Sequence, residues 1–171
     1  NWIGPAVMLA GTPEQKAFHL GRISRGEAMW CQGFSEPDAG SDLAALSTRA
    51  VLDGDTYIVN GQKIWTSYAH AAEYCFLLVR TSDAPRGEGI SCLLVPMDLP
   101  GIEVRNIANP FVDHLIHEVW FRDVPVPVGC RLGEENKGWE IVRQVLANER
   151  VGVARAECAE RTLDGAIAAA E

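Results

Sequence analysis

From about residue 28 to residue 127 the sequence is a succession of short apolar and aromatic runs cut by turn signals, with no helical period among them. Residues 48–52 and 56–59 flank Asp53-Gly54-Asp55, a strong hairpin signal, because glycine and aspartate tolerate the positive φ of a tight reversal. Asn60-Gly61 marks a further reversal, and residues 63–66 resume extended structure. The other strand candidates are 29–34, 73–80, 91–95, 103–107 and 118–124, with 43–46 as a single turn and 82–89 and 96–102 as loops. Many short strands joined by hairpins, without intervening helices, predict a mainly β fold. The expected form is an antiparallel β-barrel-like or sandwich domain, not a parallel α/β sheet.

Helical patterns flank this region. Thr12-Pro13-Glu14-Gln15 is a compact helix start, with Thr12 as N-cap, Pro13 at the first helical position and Gln15 completing a capping box. The helix is expected to run to about residue 20, where Gly21 can end it, and 22–28 form a connection. After Gly133 the period becomes helical again: Trp139, Val142 and Leu146, with Ile141 and Val145 beside them, lead through Val151, Ala154, Cys158 and Ile167. The expected division is therefore 1–27 (helical), 28–132 (β) and 133–171 (helical). The chain starts at Asn1 and stops at Glu171 inside an alanine-rich helical pattern, and it reads as a piece of a longer protein.

Composition narrows the function. The formal net charge of −8 supplies no basic field for nucleic acid, and no arginine- and lysine-rich stripe is present. No run is apolar and long enough to be a transmembrane segment, and no signal-peptide pattern is found. The five cysteines, Cys31, Cys75, Cys92, Cys130 and Cys158, are far apart, with no C-x-x-C spacing, so free thiols in a reducing compartment are expected.

Two motifs stand out, CQGFSEPDAGSD over 31–42 and NGQKIWTS over 60–67. In the first, Pro37 lacks an amide donor and Gly40 reaches dihedrals closed to other residues, while Ser41 and Asp42 can bond local backbone amides. Such a loop can aim N–H groups and hydroxyls at an anionic or carbonyl-rich ligand. The same residue types also make ordinary turns, and composition alone does not separate the two readings. His19 is expected at the surface or its boundary. His114 and His117 lie three apart in an extended segment, so they are not expected to share a face, and no metal site is expected.

Taken in order, the two motifs resemble the flavin-binding core of the acyl-CoA dehydrogenases. GTPEQKAFHLGRI resembles the last helix of that family's amino-terminal domain, and LGEENKGWEIVRQVLANERVGVA the entry into its carboxy-terminal one. The resemblance implies a central β-domain flanked by α-helical segments of a truncated acyl-CoA dehydrogenase fold, with FAD as cofactor. It implies flavin contacts at Gln32, Phe34 (through its backbone amide), Ser35, Gly40, Ser41, Trp65 and Ser67, whose hydroxyl approaches flavin N5. It further implies conversion of an acyl-CoA substrate to the trans-2-enoyl-CoA, with electrons passed to an electron-transferring flavoprotein or similar acceptor. A homotetramer or homodimer, or a hetero-oligomer, is implied, in the cytoplasm, or the mitochondrial matrix of a eukaryote. Gln32 departs from the aromatic residue that many members carry, and HLIHEVWFRDVPVP departs from the commoner acidic version. The family's carboxylate base matches none of Glu149, Glu157, Glu160 and Glu171, so no catalytic residue is assigned. A related flavin oxidase or monooxygenase, or a non-catalytic subunit of a hetero-oligomer, would keep the same motifs. The motif variant also resembles divergent bacterial members, some acting on branched, cyclic or steroid-derived acyl groups.

Overall fold

The computed structural model describes the backbone of residues 2–110, 113–149 and 153–170, and the side chains of 2–110, 113–147 and 159–169. Helices α1 (Ile3–Ala10) and α2 (Pro13–Ser24) precede eight strands: β1 (Trp30–Gly33), β2 (Arg49–Asp53), β3 (Thr56–Ser67), β4 (Tyr74–Arg80), β5 (Ile90–Pro96), β6 (Ile102–Asn106), β7 (Ile116–Pro127) and β8 (Arg131–Leu132). Helices α3 (Gly138–Glu149) and α4 (Val153–Ala170) follow.

The capping box on α2 forms as expected. Gln15 N–H donates to Thr12 Oγ1 (3.2 Å), and Thr12 N–H donates to Gln15 Oε1 (3.1 Å). The Gln15 amide also donates to the Gly129 and Arg131 carbonyls, both at 2.9 Å, which ties α2 to the far end of the β-domain. Gly21 does not end the helix; it continues to Ser24, and the Gly21 carbonyl accepts from the Arg25 amide. Helix α1 had no polar signal to find, since Trp2 occupies its N-cap without a side-chain hydrogen bond.

The strands form one sheet in the order β6-β7-β3-β2-β4-β5-β8, with β1 paired to β4. It divides into two parts, β6-β7-β3-β2 and β1-β4-β5-β8, which meet where Arg49 of β2 pairs with Arg80 of β4. The sheet is not closed, so the domain resembles a barrel only loosely. Nor is it wholly antiparallel: β1 and β2 both run parallel to β4. Asn60-Gly61 is not a reversal. It lies within β3, which runs as one strand along β7 with register shifts at Val59/Gly61 and Lys63/Thr66. The glycine serves close approach there, because a Cβ on Gly61 would sit 2.7 Å from the Thr48 backbone.

β4 is buried on both faces, which explains its unbroken apolar run. Phe76 and Leu78 point to a core shared with Ile3, Val7, Ile141, Val142 and Val145 of α1 and α3. Cys75, Leu77 and Val79 point to a second core between the two parts of the sheet, with Tyr57, Val59, Phe121 and Val126. His19 is buried, against expectation. Its ring lies 4.8 Å from Phe18, 5.1 Å from Trp30 and 5.2 Å from Tyr74 between centroids, in an aromatic seam where α2 meets β1 and β4.

Candidate functional site

The two motifs lock onto each other through a buried ion pair. Lys63 of β3 points inward and is fully buried; its Nζ donates to Glu36 Oε1 (2.7 Å) and to the Phe34 carbonyl (3.1 Å). Glu36 also accepts from the Ser47 amide (2.6 Å) and hydroxyl (2.8 Å) and from the Thr48 amide (2.9 Å). The Ser35 carbonyl accepts from the Ile64 amide at 2.9 Å. Burial alone would push the Glu36 carboxyl up, but the Lys63 ammonium and the Thr48 and Ser47 donors outweigh it and hold it at about 2. Burial pushes Lys63 down, and Glu36 opposes that shift. The contacts suit the charged pair. Gly33 lets β1 lie close on β4, because a Cβ there would meet Cys75 Sγ and Leu77 Cδ1 at 2.7 Å.

These bonds fix residues 34–36, of which Phe34 and Ser35 line a surface groove. Arg80 steadies the segment that follows, donating to the carbonyls of Ala44 (2.8 Å), Leu46 (3.0 Å), Ala84 (3.0 Å) and Arg86 (3.1 Å). The groove has two joined parts. One, of about 320 Å³, is lined by Trp2, Gln32, Phe34, Ser35, Gly40, Ser41, Leu43, Ile64, Trp65 and Leu146. The other, of about 310 Å³, is lined by Trp2, Ile3, Trp30, Cys31, Gln32, Trp65, Ser67 and Tyr68. Trp2, Gln32 and Trp65 belong to both.

Gln32, Phe34, Ser35, Gly40, Ser41, Trp65 and Ser67 therefore all lie around this groove. Trp65 sits at the β3 register shift with φ 61° and is 58% exposed. The bulge turns its indole outward, away from the core that a strand tryptophan would ordinarily fill. The Phe34 ring is in the core against Phe76 (5.5 Å between centroids), so only its backbone is offered to the groove. Sequence reasoning missed Glu36 and Lys63, whose signal was a charged residue in each motif with no solvent face to serve. It also missed Trp2 and Leu146, brought in by α1 and α3 through tertiary packing.

A separate cavity of about 590 Å³ lies between residues 69–74, the end of β5 and the start of β7. His70, His114 and His117 line it, with ring centroids 4.8 Å (His70–His117), 5.5 Å (His70–His114) and 6.2 Å (His114–His117) apart. His114 and His117 thus face the same space, contrary to expectation. The strand begins only at Ile116, and His114, at φ 55°, turns its ring back. Among the described residues no group of three such side chains is placed to hold a metal ion.

Residues 31–124 match the family model described as "Acyl-CoA dehydrogenase, middle domain". The chain belongs to the acyl-CoA dehydrogenase family. It is 43% identical over 149 residues to acyl-CoA dehydrogenase IpdE1 of Mycobacterium tuberculosis, a match covering 86% of this chain and 39% of that protein. Among solved structures, the Tcur3481-Tcur3483 steroid ACAD superposes with a TM-score of 0.85 at 41% identity, over 90% of this chain and 40% of that one. The ChsE4-ChsE5 complex from Mycobacterium tuberculosis gives 0.79 at 44% identity, over 85% and 38%. The chain thus spans about two fifths of the length of each of these three proteins.

Acyl-CoA dehydrogenases use FAD. The groove's residues fit such a group. Trp65 offers an uncovered aromatic face, and Ser35, Ser41 and Ser67 place hydroxyl donors around it. Nothing lies within 4 Å of a Cβ built on Gly40, so a ligand can approach the backbone there.

Proposed function

We propose that this chain supplies the flavin-holding part of an acyl-CoA dehydrogenase, which oxidises an acyl-CoA thioester to the trans-2-enoyl-CoA with an electron-transferring flavoprotein as acceptor. The observation that supports this reading is the convergence of Gln32, Ser35, Ser41, Trp65 and Ser67 on one groove, in a chain of this family. FAD, when bound, supplies the acceptor for the hydride leaving the substrate's β-carbon. The Phe34 amide, the Ser35 hydroxyl and the Gly40–Ser41 backbone would hold it, with Trp65 and Gln32 lining the same groove. Ser67 would supply a hydroxyl donor toward the bound group, and a donor already in place avoids a reorganisation cost.

The α-proton leaves to a carboxylate that we do not assign to this chain. Glu36, inside the motif, is unsuited: a carboxyl at about 2, fixed by Lys63 and three further donors, is too weak a base. We further infer an acyl group of the bulky, ring-bearing kind and assembly with a second related chain. The similarity to the Tcur3481-Tcur3483 steroid ACAD supports the first point, and that to the ChsE4-ChsE5 complex the second. The test is anaerobic titration of the FAD-loaded intact protein with acyl-CoA thioesters. Bleaching of the flavin band is expected, with a product lighter by two hydrogens. A protein that retains no FAD, or whose flavin no acyl-CoA bleaches, overturns the reading.

A further inference from the structure

The orientation of Trp65 and Ser67 depends on an unusual piece of backbone. Between Lys63, opposite Val119, and Thr66, opposite His117, β3 carries one residue more than β7. Trp65 falls in that bulge with φ 61°, a region in which residues other than glycine persist only where the surroundings over-determine them. Upstream, the anchor is the Lys63 ion pair. Downstream, it is His117. Its ring Nδ1 lies 3.2 Å from the Thr66 carbonyl oxygen, and the residue is 1% exposed.

A carbonyl only accepts, so Nδ1 carries the proton and donates. Nε2 is then an acceptor, buried beside the three-histidine cavity and without a hydrogen-bond partner among the described residues. Burial pushes the His117 pKa down. The Thr66 carbonyl opposes that, and His70 and His114 reinforce the downward shift, which favours the neutral ring. Leaving one nitrogen unpaired is costly, and the bond made by the other nitrogen is the polar role left to the side chain. The Tyr68 amide, donating to Leu115 O at 3.1 Å, and the Ser67–Ile116 pair carry the same alignment onward.

We propose that His117 is a positioning residue: through its Nδ1–H bond to the Thr66 carbonyl it fixes the bulge that presents Trp65 and Ser67 to the groove. It is not among the residues that line the groove. The importance given to Trp65 and Ser67 rests on the function proposed above; the mechanical claim about the bulge does not.

The test compares intact protein carrying His117→Asn, whose side-chain amide can replace the Nδ1 donor, with His117→Phe, which keeps a ring and loses the donor. Where the phenylalanine variant does not fold, His117→Gln, with its amide one carbon too far out, takes its place. In cofactor-free protein, His117→Phe is expected to raise amide exchange at residues 65–67 by roughly tenfold while β4 amides stay unchanged, and His117→Asn to restore protection. In FAD-loaded protein, His117→Phe is expected to slow single-turnover bleaching by roughly tenfold and to shift the flavin absorption band, with asparagine restoring both. Equal exchange at 65–67 in the parent, Asn and Phe or Gln proteins overturns the proposal. So does bleaching that responds to loss of ring volume but not to recovery of the donor. If the parent flavin is not bleached at all, the functional reading fails, and the exchange comparison still decides the role of His117.

Discussion

Lys63 faces the core from a strand whose neighbouring residue, Ile64, lines the groove, and its ammonium ties the second motif to Glu36 and the Phe34 carbonyl of the first. Replacing it by methionine keeps most of the volume but leaves the Glu36 carboxylate buried without its counter-charge. Breaking such a pair on one side costs about 3–5 kcal/mol, far more than an exposed ion pair is worth. Lys63→Met should therefore lower the denaturation midpoint sharply, and adding Glu36→Gln should recover part of the loss, because a neutral amide needs no counter-charge. A urea series on the two single variants and the double checks this; additive losses would show that the pair is not coupled. Ser67 is the opposite case, exposed at the groove, with its effect expected in rate and not in stability. Ser67→Ala should slow single-turnover flavin bleaching by roughly ten- to a hundredfold, about 1.4–2.8 kcal/mol, while FAD affinity falls much less. Stopped-flow reduction under anaerobic conditions measures it, and a rate within about twofold of the parent ends the assignment.

Among the elements, the contrast between β4 and β3 shows what a sequence makes legible. The CFLLV run of β4 was readable as a strand because burial on both faces leaves no polar residue to blur the signal. In β3, Asn60-Gly61 mimicked a turn, since a glycine placed for close approach to Thr48 has the same one-letter appearance as a glycine placed for reversal. The parallel pairing of β1 with β4 was hidden for another reason: it joins segments distant in the chain, and local alternation carries no record of partner or direction. Likewise the groove's motif residues were legible, whereas Trp2 and Leu146 arrive through helix packing. The seam of α2 against β1 and β4 yields its own test. His19 Nδ1 and Trp30 Nε1 are both buried there without a hydrogen-bond partner among the described residues. Burial first, and Arg22 second, lower the His19 pKa below its ordinary 6.5. The unfolded chain therefore binds the proton first, and the folded state loses stability as pH falls below that value. The urea midpoint should drop between pH 7.5 and pH 5, and the drop should shrink in His19→Gln. An unchanged pH dependence in that variant would place the titrating group elsewhere.

At the scale of the molecule, stability is distributed unevenly. One core lies between the two parts of the sheet and another between β4–β5 and the helices α1 and α3, and both pass through the same central strands. Leu77, Leu78, Leu93 and Val95 have no exposed surface, so their amides should open only with global unfolding. Helix α4 is the other extreme. Residues 159–169 are all exposed, including Leu163 (60%) and Ile167 (51%), which lie one turn apart on one face. Most helical stability in proteins comes from packing an apolar face, and residues 159–169 of α4 pack none in this chain. In the 171-residue chain, α4 amides should therefore exchange faster than those of β4 and β5 by several powers of ten, at a rate near that of an isolated peptide of the same sequence. An assembly that covers Leu163 and Ile167 should slow α4 selectively and leave the β4–β5 amides where they were. Hydrogen exchange read by mass spectrometry, at two protein concentrations, distinguishes these states. Protection of α4 equal to that of β4 and independent of concentration would mean that its apolar face is already packed within one chain, against the exposure seen here.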